Sequence, residues 1–193
     1  PRPFTSHVKM MVLTLVLPHV DRWFYQREIQ FITGIAYTPI RFALIDLEVF
    51  GLLNRKSEGR RQYYTVARDF FLYEEYKRIV LKTTGLGDHL RWVSREKKNL
   101  QFAFIHGDFA EGTESDSTPI RFCSVGTIGA ARIRDALEPA GKATRQKYEF
   151  QHMTPEEFSA RSRRPDAAWR KILQGEKIFV VGKSADYARL LSP

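Results

Sequence analysis

The sequence predicts an α+β chain of two domains, at residues 1–84 and 85–193. Its 193 residues are enough for two domains of about 100 residues, a size that buries an adequate core. The first part has the order helix, helix, helix, basic hairpin, and the second alternates short strands with helices. Gly85 and Gly87 separate two helical stretches and mark the boundary.

Three helices are predicted in the first domain. Val8 to His19 is apolar around much of its circumference, as in a helix buried in a small bundle. The aromatic run "DRWFY" predicts a short strand, and "QREIQFITG" predicts a short helix ending at Gly34. The stretch "AYTPIRFALIDLEVFGLLNRK" predicts a third helix, with Pro39 in its first turn and Gly51 as its stop. Its inward face is predicted to hold Ile40, Leu44, Leu47 and Phe50, and its open face Tyr37, Thr38, Arg41, Phe42 and Ile45.

A basic hairpin follows the third helix. The segment "LLNRKSEGRRQYYTV" predicts two strands joined by a turn at residues 57–59. The cations that bracket its tip are Arg55, Lys56, Arg60 and Arg61. A tip with four cations is suited to lie along a phosphate backbone.

The run "REIQFITGIAYTPIRFALIDLEVFGLLNRKSEGRRQYYTV" resembles the winged helix-turn-helix of ArsR and MarR-like transcription regulators of bacteria and archaea. The resemblance implies that Tyr37 to Ile45 begins the recognition helix and that Arg55 to Arg61 forms the wing. Regulators of this type usually carry polar residues where Phe42 and Ile45 stand. Two explanations are open: apolar contacts to thymine methyl groups, or a partner that covers these residues. A winged helix used for protein contact is a further alternative.

In the second domain, alternating elements predict a small mixed sheet with helices on one face. The predicted strands are 100–105, 120–125 and 147–152, and the predicted helices are 128–137 and 155–160. The stretches "FAFIHGDFAEG", "YEFQHMTPEEF" and "WRKILQGEKIFVVGKSADYARLL" resemble the minimal nucleotidyltransferase domain that some archaeal and bacterial proteins carry behind a winged helix.

The resemblance implies where an active site would lie. In an active member, a Gly-Ser pair after the first strand holds the triphosphate, an Asp-x-Asp on the next strand binds two Mg²⁺ ions, and a later strand adds a third carboxylate. Here Gly107 keeps the glycine, Asp108 replaces the serine, and Pro119 and Arg121 replace the metal-binding aspartates. Glu149 falls near the third carboxylate position.

These replacements predict a disabled site with no catalytic residue, metal or cofactor. Arg121 places a fixed positive charge where a dication would sit, and Pro119 offers no ligand atom. Asp108 places a carboxylate beside the expected triphosphate, and Glu111 stands where the family often has arginine. We expect Arg121 and Glu149 to form an ion pair in place of the metal.

One alternative keeps a magnesium site. Asp108, Glu111, Glu114 and Asp116 form an acidic cluster, in which Asp116 would be the first ligand if the loop were three residues shorter. The second position would then be Thr118, and an acidic solvated loop is the more usual meaning of such a cluster. Two histidines near strand ends, His106 and His152, are candidates for metal ligands or for hydrogen-bonded edge residues.

The charge and the cysteine content limit which partners and which cellular compartment the sequence predicts. The chain carries a net charge of +9, of which residues 1 to 100 carry +7 and the remainder +2. A positive first half attracts polyanions, and an anionic membrane surface would respond to the same field. The apolar run from Val8 to Leu17 is too short to span a membrane. The single cysteine, Cys123, excludes an internal disulfide and a multi-cysteine zinc site, which suits a reducing cytoplasm.

The sequence therefore predicts a cytoplasmic transcription regulator that binds specific sequences of double-stranded DNA. Its second domain is expected to be a catalytically dead nucleotidyltransferase fold, kept for assembly, ligand sensing or extra DNA contact. The sequence leaves undecided whether the protein forms a homodimer. No contact with a membrane is expected, and no effector is identified. The alternatives are an active nucleotidyltransferase whose winged helix selects the target, and a protein-interaction module related to toxin–antitoxin pairs.

Overall fold

A computed structural model describes residues 6–97 and 99–191, and the chain divides into two compact units. The first unit runs to Thr84 and includes residues 115–117 and 143–145. The second contains residues 85–114, 118–142 and 146–193. Each unit has its own sheet, so the chain is an α+β protein with two sheets.

The first unit packs four helices around a three-stranded sheet. Its elements are α1 (His7–Val16), β1 (Phe24–Tyr25), α2 (Gln26–Thr33), α3 (Tyr37–Phe50), β2 (Leu53–Glu58), β3 (Arg61–Val66) and α4 (Tyr73–Thr83). The strand order is β1-β3-β2, and both pairings are antiparallel. The hairpin turn lies at Gly59 and Arg60, later than predicted, because Ser57 and Glu58 still pair with Gln62 and Arg61.

Helices α2 and α3 end where the sequence predicts. Gly34 follows α2 with φ +68°, and Gly51 follows α3 with φ +95°, a left-handed conformation that residues with a side chain rarely adopt. The buried face of α3 consists of Ile40, Ala43, Leu44 and Leu47. Phe50 is only partly buried, and its ring packs against those of Phe70 and Tyr76.

The second unit is built on a four-stranded mixed sheet. Its elements are α5 (Leu86–Lys97), β4 (Leu100–His106), α6 (Asp108–Glu111), β5 (Ile120–Gly126), α7 (Ala130–Thr144), β6 (Tyr148–Met153), α8 (Pro155–Arg163), α9 (Ala167–Gln174), β7 (Ile178–Val181) and α10 (Ser184–Leu191). The strand order is β6-β5-β4-β7; β5 and β6 are parallel, and the other pairs are antiparallel.

Helices cover both faces of this sheet, so the prediction of helices on one face is wrong. Phe102 and Phe104 of β4 belong to a core cluster with Cys123, Phe158 of α8 and Trp169 of α9, and with partly buried side chains of α10. α5 also packs on β4 and β7, but its buried residues lie outside that cluster. Within the described residues, no helix is both long enough and apolar enough to cross a membrane.

Candidate functional site

The predicted reading face of α3 is accessible in the structure. Thr38 and Arg41 are exposed, Tyr37 and Phe42 are 43% and 59% exposed, and Ile45 is half-buried. The opposite face of the helix fills the core of the first unit. The five residues therefore present side chains outward from the first three turns of one helix.

The two carboxylates of α3 are both held by cations from neighbouring elements. Lys9 Nζ of α1 lies 2.6 Å from Oδ2 of Asp46, and Arg55 Nε of β2 donates to Oε1 of Glu48 at 2.9 Å. Among the described residues, Arg41 forms no ion pair with any carboxylate. The net charge that α3 presents is therefore that of the Arg41 guanidinium.

The hairpin keeps its cations at the surface, over a layer of aromatic rings. Lys56 Nζ lies 2.9 Å from Oε1 of Glu58 and 4.8 Å from the centre of the Trp23 ring. The Arg61 guanidinium carbon lies 5.8 Å from the centre of the Tyr25 ring. Arg60 is in the turn and, within the part of the chain that the structure describes, has no ion pair. Because exposed ion pairs contribute only about 0–1 kcal/mol, a phosphate can compete for the paired cations.

The residues predicted to form a degenerate transferase site also lie close together. Gly107 follows β4 with φ +69°, and Asp108 begins α6. Arg121 lies on β5 in register with Glu149 on β6, two residues after the half-buried Pro119. Its Nε donates to Oε2 of Glu149 at 2.9 Å, and its Nη1 donates to Oδ2 of Asp108 at 3.3 Å. The expected pair between Arg121 and Glu149 is confirmed.

The Arg121 guanidinium thus binds two carboxylates. Asp108 stands at the position expected to bind phosphate, and Glu149 stands near the position expected for the third metal-binding carboxylate. A dication beside Asp108 and Glu149 would have to displace Arg121 or tolerate its charge at close range. Residues 6–97 and 99–191 contain no group of three or more histidines, cysteines, aspartates and glutamates that could hold a metal ion. The side chains at this position therefore do not fit the two-metal arrangement.

A cleft of about 180 Å³ opens beside Arg121. Its lining includes His106, Gly107, Asp108, Glu111 and Lys171. His106 is buried; this burial, together with the charges of Arg121 and Lys177, lowers the pKa of His106 to about 4. The imidazole is uncharged at neutral pH, so the cleft holds a neutral ring among cations and carboxylates.

The acidic cluster is not a uniformly solvated loop, contrary to one interpretation of the sequence. Glu114 is buried, at 1% exposure, and Asp116 Oδ1 lies 2.7 Å from Nδ1 of His19. His152 Nδ1 lies 2.9 Å from the Ser124 hydroxyl on the adjacent strand. The carboxylate of Asp116 and one ring nitrogen of His152 therefore have partners within the protein.

The exposed side chain of Val49 on α3 was not predicted from the sequence. Val49 is 71% exposed and lies one turn beyond Ile45, on the same side as Phe42. Continuing the helical spacing from Phe42 and Ile45 by four residues would have included it. The ion pairs of Asp46 and Glu48 were also missed, because their partners come from other elements.

No family model matches the chain, and no curated protein matches it. Among solved structures, it is similar to a chain in a crystal structure of a mutant of the toxin–antitoxin MntA-HpeT, with 10% identity and a TM-score of 0.39. The match covers 54% of this chain and 79% of that chain.

Proposed function

We propose that the first unit is a winged helix-turn-helix and that the protein is a transcription regulator that binds specific duplex DNA. The observation that carries the proposal is the order of α2, the Gly34 turn and α3, followed by a basic hairpin to which β1 adds a third strand. A helix with an open face beside such a hairpin is suited to read bases while the hairpin contacts phosphates.

In this proposal, α3 enters the major groove and supplies sequence specificity. Thr38 and Arg41 are the polar side chains that reach base edges, since both are exposed near the beginning of the helix. Neutralisation of Asp46 by Lys9 supports this role, because a free carboxylate on the reading helix would repel the DNA backbone.

The hairpin supplies sequence-independent affinity. Arg60 is exposed at the turn, and Arg55, Lys56 and Arg61 are exposed on the flanking strands. Contacts from these cations to phosphates release counterions, which makes binding depend strongly on salt concentration. Regulators of this class usually bind as dimers, so we propose a cytoplasmic homodimer on a near-palindromic site.

For the second unit, we infer a nucleotidyltransferase-like domain that does not transfer nucleotides. The pairing of Arg121 with Asp108 and Glu149 supports this inference. Its retained role is assembly, ligand sensing or additional DNA contact. The test is pyrophosphate release from nucleoside triphosphates with Mg²⁺; release that Asp108→Ala abolishes would contradict the inference.

The experiment for DNA binding is selection from a random pool of duplexes with the purified full chain. We expect an enriched motif, and we expect the chain with Arg41→Ala to enrich it much less. Lys82→Ala is the control, since Lys82 is an exposed cation on α4, outside α3 and the hairpin. A pool that shows no enrichment at any salt concentration would refute the proposal.

A second candidate is a protein-interaction module, with two exposed aromatic side chains in its favour. Phe31 and Phe71 are 82% and 80% exposed, and aromatic side chains are enriched at protein–protein interfaces. This candidate predicts a protein partner that copurifies in fixed stoichiometry, and only nonspecific attraction to duplex DNA.

A further inference from the structure

An apolar stripe runs along the exposed side of α3. We use this name for Phe42, Ile45 and Val49, which are spaced three and four residues apart and so share one side of the helix. Phe42 and Val49 are 59% and 71% exposed, and Ile45 is half-buried. At 1.5 Å per residue, the stripe is about 10 Å long.

The surroundings of the stripe are suited to a polyanion. Arg41 lies beside Phe42 and has no ion pair among the described residues. Asp46 and Glu48, the carboxylates next to the stripe, are held by Lys9 and Arg55. An apolar surface therefore faces outward without a net negative charge on its own helix.

We propose that the apolar stripe reads the methyl groups of consecutive thymines in the major groove, so that each half-site contains a run of three or four thymines on one strand. This inference rests on the proposed function, because it requires α3 to enter the groove. Thymine is the base that presents a methyl group there, beside its O4 acceptor; the other bases present no methyl group.

The dimensions agree with this assignment. Successive bases on one strand are about 3.4 Å apart, so three or four thymines spread their methyl groups over about 7 to 10 Å. That distance is close to the length of the stripe. Guanine or cytosine at these positions would place polar groups against Phe42 and Val49, where they lose water without gaining a hydrogen bond.

The test uses the duplex selected with the full chain. Each thymine of the run is replaced by deoxyuridine, which pairs in the same way but lacks the methyl group. We expect the affinity of the parent protein to fall about fourfold for each methyl group removed, because this is the change in affinity that follows from no longer burying one such group.

Two variants show whether the stripe is responsible. Phe42→Ala should discriminate less between the thymine and uracil duplexes than the parent does, because it loses one of the three side chains of the stripe, whereas Phe42→Leu should keep most of the discrimination. The control is Phe31→Ala, which removes an exposed aromatic ring from α2 and should leave the discrimination unchanged. Because Phe42 and Phe31 are both exposed, thermal unfolding should be nearly the same for all variants.

The outcomes separate this inference from the proposed function. If the parent binds both duplexes equally, or if Phe42→Ala discriminates as strongly as the parent, the inference is wrong while DNA binding stands. If no duplex is selected, both are wrong. A DNA-free dimer that Val49→Arg dissociates would also overturn the inference, because the stripe would then be buried against a second copy.

Discussion

Arg121 and Glu149 face each other on adjacent parallel strands, with the arginine Nε 2.9 Å from the glutamate Oε2. The same guanidinium reaches Asp108 at 3.3 Å. The residues that stand at the expected ligand positions thus bond to one another. Their ion pairs are at the surface, since the three side chains are 42% to 59% exposed.

The ion pair between Arg121 and Glu149 should contribute little to the free energy of unfolding. We expect a double-mutant cycle of Arg121→Ala and Glu149→Gln to give a coupling energy of about 0.2–1 kcal/mol, because solvent screens exposed charges. Urea unfolding of the parent, the two single variants and the double variant measures it. A coupling energy above about 2 kcal/mol would contradict the exposed geometry.

The burial of His106 predicts acid sensitivity. Its pKa in the folded protein, about 4, is below the ordinary value, so the unfolded chain takes up the proton more readily as pH falls. The contribution of the neutral His106 ring to the free energy of unfolding is therefore complete above about pH 6.5 and is lost as pH falls toward 4. We expect the parent to lose on the order of 2 kcal/mol at pH 4.5 from this group.

The control for that prediction is His106→Gln, which removes the titrating ring. Urea unfolding at pH 7 and pH 4.5 should show a smaller loss in this variant than in the parent. Arg121→Gln should raise the pKa of His106, because the guanidinium is one of the charges that lower it. Identical pH dependence in the parent and His106→Gln would show that the ring does not titrate as described.

Local signals in the sequence identified much of the fold. Pro39 near the start of α3 and Gly51 at its end predicted that helix correctly, since both act through backbone geometry that needs no distant partner. The helix predicted at residues 128–137 was too short. α7 continues to Thr144 through Pro139, because Ala140 extends its buried face beyond the proline.

The site was predicted in part. The Arg121–Glu149 pair followed from expecting the two residues on neighbouring strands. The ion pair between Lys9 and Asp46 and the burial of Glu114 were not predicted, because they depend on packing between segments distant in the sequence. Helices on both faces of the second sheet were missed for the same reason.

A pair of glycines near the end of β5 gives a matched test of the sheet. A side-chain carbon at Gly126 would lie 2.1 Å from the Asn99 carbonyl oxygen, whereas one at Gly129 would meet no atom within 4 Å. We expect Gly126→Ala to lower the free energy of unfolding by more than about 2 kcal/mol, and Gly129→Ala to change it little. Equal urea midpoints for the two variants would contradict the close approach at Gly126.

Cys123 should be unreactive in the folded protein. It is buried in the core of the second unit, and burial raises the pKa of its thiol to about 12. Because the thiolate is the reactive form, we expect negligible labelling by a disulfide reagent at pH 8 and complete labelling in denaturant. Rapid labelling without denaturant would show that β5 is accessible.

The most direct measurement of the central claim is the salt dependence of binding to the selected duplex, followed by fluorescence anisotropy. We expect the logarithm of the affinity to fall linearly with the logarithm of salt concentration, and Arg60→Ala to reduce the slope by about 0.9 through loss of one phosphate contact. Arg41→Ala should weaken binding, and Lys82→Ala should not. If the parent, Arg41→Ala and Arg60→Ala all bind equally poorly at low salt, the first unit does not read DNA.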